Sequence, residues 1–206
     1  MNIMTMKNRK KLSEIARVGS GLVLSRKASG KEDERISYDL LTLRSIRPDG
    51  SIDLNLLDIY EAKEILSPDY VTKRGDIIVR LSMPYTSTLI DESTEGIVVS
   101  SNFVIIRTER DKLLPEYLFW LINTPKIKRE LLDNTTGSTI GTIKAKYFSD
   151  FEIEPLSLDN QEKIAELNRL ARREHQLLLD LADEREKLFG QLLNQIQKEM
   201  RRGTKV

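Results

Sequence analysis

Three groups of residues in this chain of 206 carry side chains that could do chemistry. Asp49, in Pro48-Asp49-Gly50, followed by Glu61-Ala62-Lys63, matches in outline the acid and acid-x-lysine arrangement with which nucleases hold Mg²⁺ and steady an attacking water. Proline presets the first position of a turn and glycine frees the last, so the segment reads better as a turn, with Glu61 and Lys63 as surface charges. The second group, Arg80-Leu81-Ser82-Met83-Pro84-Tyr85-Thr86-Ser87-Thr88, offers a guanidinium, hydroxyls and an aromatic ring after an apolar run. That mixture can meet base edges and phosphates, although any hydroxyl-rich loop shares it. The third, Gly137-Ser138-Thr139 with Lys144 and Lys146, sets backbone amides, hydroxyls and two cations within reach of a polyanion. Arg26 and Lys27 could add phosphate contacts through counterion release, whereas Lys7 to Lys11 read more simply as a solvated tail.

Composition removes most other chemistries. There is no cysteine, so no disulfide framework, thiol nucleophile or cysteine-bound metal is available, and His175 is the only histidine. No serine stands in a Gly-x-Ser-x-Gly elbow, and no P-loop or Asn/Asp-Pro-Pro-aromatic motif occurs, which argues against familiar hydrolase, nucleotide-hydrolysing and adenine-methylating chemistries, and no cofactor is expected. With 33 Lys and Arg against 32 Asp and Glu, the formal charge is +1, and a nucleic-acid surface would have to be a local patch. No run approaches the roughly 18 apolar residues of a membrane span, and the first residues lack the apolar core of a signal peptide, so a cytoplasmic protein is expected.

The elements that would hold these groups can be read from punctuation. Turns at Pro48-Asp49-Gly50, Arg74-Gly75-Asp76 and Glu95-Gly96 separate apolar runs too short for helices. Ile77 to Leu81 predicts a buried strand. Ile97 to Arg107 predicts strand interrupted at Ser100, Ser101 and Asn102, either by a bulge or by a loop. Leu114-Pro115-Glu116 opens a helix that ends before Thr124-Pro125, a second runs from Pro125 to about Leu132, a polar loop follows, and Phe151 to Ile153 is strand-like.

From Asp159 to Arg202 there is no proline and only Gly190 among the glycines, which predicts one long helix capped by Asp159 or Asn160. Ile164, Leu167, Ala171, Leu178, Leu181, Leu188 and Leu192 recur at three-and-four spacing, interrupted by Glu174, Arg185 and Gln195. Burying such a stripe is worth roughly 10 to 20 kcal/mol before ordering costs, and at about 1.5 Å per residue the helix is some 65 Å long. The pattern leaves open whether the stripe docks on its own domain or on a second chain, and the length favours a coiled-coil partner outside the domain. The fold class expected is α+β, with a mixed-sheet domain over residues 1–157, a helical arm over 158–202 and a tail at 203–206.

Five pieces taken in order carry a family resemblance: Leu12 to Gly21, Lys73-Arg74-Gly75-Asp76-Ile77-Ile78-Val79, Leu114 to Leu118, Thr136-Gly137-Ser138-Thr139, and Pro155-Leu156 with Asn160-Gln161-Glu162-Lys163-Ile164. The succession resembles the specificity (S) subunit of type I restriction-modification systems. The resemblance implies a non-catalytic target recognition domain that reads half of a bipartite DNA sequence, and a helical spacer that pairs with a second helix. It further implies double-stranded DNA, methyltransferase (M) subunits and, through the complex, a restriction (R) subunit as partners in phage defence. This chain has one recognition domain and one helix where such subunits usually have two, so a homodimer through the helix is expected. The family places recognition in loops at the sheet edge, which assigns DNA contacts to Arg26, Lys27, Arg80, Ser82, Tyr85, Thr86, Ser87, Ser101, Asn102, Ser138, Thr139, Lys144 and Lys146. The competing expectations are a coiled-coil adaptor that binds only proteins and the metal-dependent nuclease of Asp49, Glu61 and Lys63.

Overall fold

Apolar β-branched runs bounded by turns build two sheets in the computed structural model, which describes residues 9–28, 35–134 and 142–203. The chain divides into two units, one running to Lys163 and the other beginning at Ile164. In the first, β2 (Ala16–Ser20), β5 (Ile77–Arg80), β6 (Ser87–Leu89) and β8 (Phe103–Thr108) form an antiparallel sheet in the order β2-β8-β5-β6. Strand β5 is central, and Ile77, Ile78 and Val79 are fully buried, as an unbroken apolar run demands when both faces of a strand are covered. A second sheet has the order β4-β3-β7, with β3 (Ile36–Leu41) antiparallel to β4 (Asp58–Ala62) and parallel to β7 (Val98–Val99). A short ribbon pairs β1 (Lys10–Lys11) with β9 (Glu152–Ile153).

The interruption at Ser100 to Asn102 is a turn, since β7 and β8 lie in different sheets. Successive side chains of a strand point to opposite faces, and this divides the valines of β7. Val98 packs with Leu22, Leu40, Tyr60, Ala62 and Leu66, whereas Val99 joins Leu41, Ile46, Ile78, Ile90, Phe103 and Ile105. A second crossing runs beside the first. Gly21 donates its N–H to Phe103 O at 3.1 Å and Leu22 donates to Val99 O at 2.8 Å, so the chain passes against the β7–β8 connection. A Cβ on Gly21 would lie 2.1 Å from Ser100 O, an approach only glycine allows.

Helix α1 (Pro115–Asn123) begins with proline in its first turn and packs on β6, and α2 (Pro125–Asp133) follows at once. Thr124 separates them with extended backbone, and its hydroxyl accepts Ile127 N–H as the N-cap of α2. Before the strand-like Phe151 to Ile153, Lys144 leads into a short helix, α3 (Ala145–Asp150), not expected from the sequence. Apolar residues on one face of that helix make the difference: Phe148 is buried, and Tyr147 stacks against Phe148 and Phe151.

Helix α4 (Leu158–Gly203) is continuous for 46 residues. Its opening residues belong to the first unit, where Gln161 is fully buried and fully paired. The Gln161 carbonyl accepts Leu114 N–H at 2.8 Å, and its amide donates to Leu156 O at 2.8 Å and Lys112 O at 3.2 Å. In the second unit α4 is a highly charged helix with i,i+3 and i,i+4 ion pairs, including Lys187 with Asp183 and Glu184. The two carboxylates raise the Lys187 amine above the usual lysine range.

Candidate nucleic-acid interface

One end of the four-stranded sheet gathers segments that are far apart in sequence. Arg80, the last residue of β5, pairs with Phe103, and Leu81 donates to Asn102 O at 3.0 Å, which sets the Ser101-Asn102 turn beside the Arg80–Ser82 segment. Ile143 donates to Leu81 O at 2.7 Å, and Ser82 bridges Thr142, which brings in the segment leading to Lys144. Ser101 donates to Leu22 O, so the turn that carries Arg26 begins at the same end. Backbone pairing thus joins the Arg80–Ser82 segment both to Ser101-Asn102 and to the segment that begins at Thr142.

Exposure sorts the expected contacts. Arg26, Ser101, Asn102, Lys144 and Lys146 are exposed, and Lys27, Arg80 and Ser82 are partly so. Lys27 is ion-paired with Glu64, whose carboxylate raises the amine's affinity for its proton while the lysine lowers that of the acid. Ser138 and Thr139 lie outside the described residues. Tyr85, Thr86 and Ser87 require correction, because all three are buried. The Ser87 hydroxyl donates to Phe119 O and accepts from the Asn123 side-chain amide at 2.7 Å, so it joins β6 to α1 instead of facing solvent. Burial takes these three side chains out of reach of a macromolecule.

Arg80 has an unusual setting. Its guanidinium donates to Leu43 O and Met83 O, both at 3.3 Å, while the buried Nε finds no acceptor and no carboxylate pairs with it among the described residues. Desolvation lowers its pKa. Arg107, by contrast, is consumed internally: Nε donates to Asp76 Oδ1 at 3.0 Å, and Nη2 reaches Pro68 O and Val71 O, both at 3.0 Å. A half-buried cation held only by carbonyl dipoles retains attraction for an outside anion, which a saturated one does not.

Met83 was not among the expected contacts, yet its side chain is 58% exposed at the tip of the loop that Arg80 supports. A single apolar residue beside proline in a polar loop was the only sign of it in the sequence. Lys128 is another cation the sequence did not single out, half-buried on α2 with desolvation lowering its pKa.

The acidic candidates for metal chemistry are otherwise engaged. Asp49 accepts from Ser51 N–H at 2.9 Å and from the Ser51 hydroxyl at 2.7 Å within the expected turn, and Glu61 lies on β4 opposite Ser37. Among the described residues no cluster of three or more His, Asp or Glu is placed to hold a metal ion.

Of the expected seam on α4, Ile164 is half-buried and Leu167, Ala171, Leu178, Leu181, Leu188 and Leu192 are exposed. Leu170, Leu177, Phe189, Leu193, Ile196 and Met200 are exposed too, so the apolar arc is wider than the two positions in seven of a simple two-stranded seam. His175 is exposed on the same helix. No helix among the described residues is long and apolar enough to cross a membrane.

A two-sheet domain with loops gathered at one sheet end, followed by a long amphipathic helix, is an α+β architecture. Its relatives emerge from solved structures: the chain has the fold of the specificity subunit of type I restriction-modification systems. The HsdS subunit from Thermoanaerobacter tengcongensis superimposes with a TM-score of 0.59 at 18% identity, over 82% of this chain and 43% of that one. A chain from a structural study of complex assembly and conformational transition in the type I R-M system gives 0.60 at 17% identity, over 83% of this chain and 44% of its own. This chain therefore spans less than half the length of the structures it matches. No family model matches the sequence, and no curated protein does.

Proposed function

We propose that this chain is the DNA-reading subunit of a type I restriction-modification assembly, recognising one half of a bipartite duplex target. The observation that carries the reading is the half-buried Arg80 guanidinium, paired with no carboxylate among the described residues, at the sheet end where the Ser101-Asn102 and Thr142–Lys146 segments converge. A cation in that setting gains most from a polyanion, and Lys144, Lys146 and Arg26 lie exposed on the flanking segments to meet phosphates. Catalysis belongs to partners: methyl transfer to M subunits and cleavage to an R subunit, with the cytoplasm as the compartment.

The apolar arc of α4 supplies the protein contacts. Two copies pairing through Ile164, Leu167, Ala171, Leu178, Leu181, Leu188 and Leu192 would present two recognition units with two-fold symmetry, matching an inverted repeat with a gap. The additional exposed residues leave room for M subunits on the same helix. The same arc also favours the rival reading, an adaptor that joins proteins and leaves DNA alone.

Selection of duplexes from a random pool by the full chain, alone and with a co-expressed M subunit, separates the two. Enrichment of a gapped inverted repeat supports the DNA reader. Stable complex formation with the M subunit but no enriched sequence would establish the adaptor.

A further inference from the structure

The geometry points to Met83 as a base-reading side chain: its thioether meets the C5-methyl of a thymine in the major groove while Arg80 meets an acceptor on a neighbouring base. This inference rests on the DNA-reading function proposed above and deepens it. Three observations carry it.

First, Met83 and Pro84 stand exposed on a braced turn. Tyr85 donates to Ser82 O at 3.0 Å and Arg80 N–H to Thr86 O at 3.1 Å, closing the turn from both sides. Tyr85 takes a left-handed backbone with φ 52°, unusual for an aromatic residue, and its ring is buried, so the turn is anchored from beneath. An exposed methionine on a fixed base presents a soft apolar end without itself contributing to the core.

Second, the cation and the apolar tip are coupled. The Arg80 guanidinium donates to the backbone carbonyl of Met83 itself at 3.3 Å, so the cation lies against the residue that carries the apolar tip and one ligand can meet both groups. The backbone offers phosphate acceptors beside the C–H groups of deoxyribose, and the minor groove offers acceptors but no methyl. In the major groove, thymine places its methyl beside O4, next to the N7 and O6 acceptors of a neighbouring guanine. There duplex DNA presents a methyl and hydrogen-bond acceptors side by side at the base edges.

Third, the flanking side chains suit the same groove. Ser82 and the exposed Ser101 and Asn102 lie to the side of the tip, where hydroxyl and amide groups can pair with base edges.

The test uses the full chain, assembled with an M subunit if binding requires one, and the duplex it enriches from a random pool. Each thymine in that duplex is replaced in turn by uracil, which removes only the methyl. Wild-type protein is expected to lose roughly fourfold in affinity at one position, the equivalent of one buried methyl group. Met83→Gln, which keeps length and removes the apolar end, should show a similar loss on the thymine duplex and no further loss on the uracil duplex. Unchanged thermal unfolding of the variant confirms that the fold is intact. An enriched target without thymine in the half-site, or a Met83→Gln protein as sensitive to uracil as the wild type, would overturn the assignment while leaving DNA reading in place. Absence of any enriched sequence would remove both.

Discussion

The side-chain carbonyl of Gln161 accepts the backbone N–H of Leu114 at 2.8 Å, across 47 residues of sequence, and Gln161 has no solvent exposure. The first turn of α4 is thereby tied to the residue that caps α1. Gln161→Ala would strand Leu114 N–H, Lys112 O and Leu156 O together. Each unsatisfied buried group costs about 1 to 3 kcal/mol, and partial access of water to these chain ends limits the total to about 2 to 4 kcal/mol. Urea unfolding should show the midpoint falling at an unchanged slope; a loss under about 1 kcal/mol would mean that the site relaxes.

Gly21→Ala should be similarly damaging for a steric reason. The new methyl group would meet Ser100 O at 2.1 Å and Val99 O at 2.6 Å, both of them backbone atoms that cannot swing aside. Overpacking of this kind costs about 1 to 3 kcal/mol. Thermal melting of the variant reads it directly.

Acid sensitivity has one definable source in the Asp91 cap. Burial would raise its pKa, but hydrogen bonds from Ser93 and Thr94 outweigh that and hold the carboxyl below its ordinary value. A depressed folded-state pKa means that the stabilisation is complete above the ordinary carboxylate pKa of about 3.9 and is lost as pH falls through the lower folded value. Asp91→Ala should cost about 0.5 to 1 kcal/mol near pH 7, and the gap from wild type should narrow as pH falls through the lowered folded-state value. A gap that stayed constant with pH would assign the effect to packing.

The charged positions separate by salt dependence. Lys144→Ala should weaken binding to all duplexes alike and reduce the slope of log affinity against log salt by about one. An unchanged slope would take Lys144 off the phosphate path.

Leu181, 56% exposed on α4, tests the pairing of arms. Placing Asp there would bury an unpaired carboxylate in any seam formed around it, so light scattering should show a mass falling from twice 23.7 kDa toward that of one chain. A stable dimer of Leu181→Asp would move the seam to another side of the helix.

How far the sequence disclosed this molecule depended on the range of the forces involved. Pro115 and Pro125 marked two helices because proline acts on its own turn, and the absence of proline from Asp159 to Arg202 marked the third. The apolar run at Ile77 marked the central strand. By contrast, nothing local to Val98 and Val99 reveals that they serve two cores, and nothing in Thr86-Ser87 reveals that α1 covers them, because those outcomes are set by pairing with segments far along the chain. The recognition candidates divided similarly. Arg80, Ser82, Ser101, Asn102 and Lys144 lie on segments gathered at one sheet end, whereas Tyr85 and Ser87 turn inward, since alternation along a short strand and turn cannot be phased without its partners.

The outermost ribbon has a kinetic consequence. Lys10 pairs with Ile153 and Lys11 with Glu152, so during synthesis β1 finds its partner only after about 140 further residues are made. Ala16 to Ser20 also wait, for Phe103 to Thr108. Contacts this distant close slowly, because loop entropy must be overcome before pairing repays it. The two-sheet unit therefore completes itself late, just before α4 begins to emerge, and that helix's exposed leucines enter solution attached to a domain that has only then become able to fold.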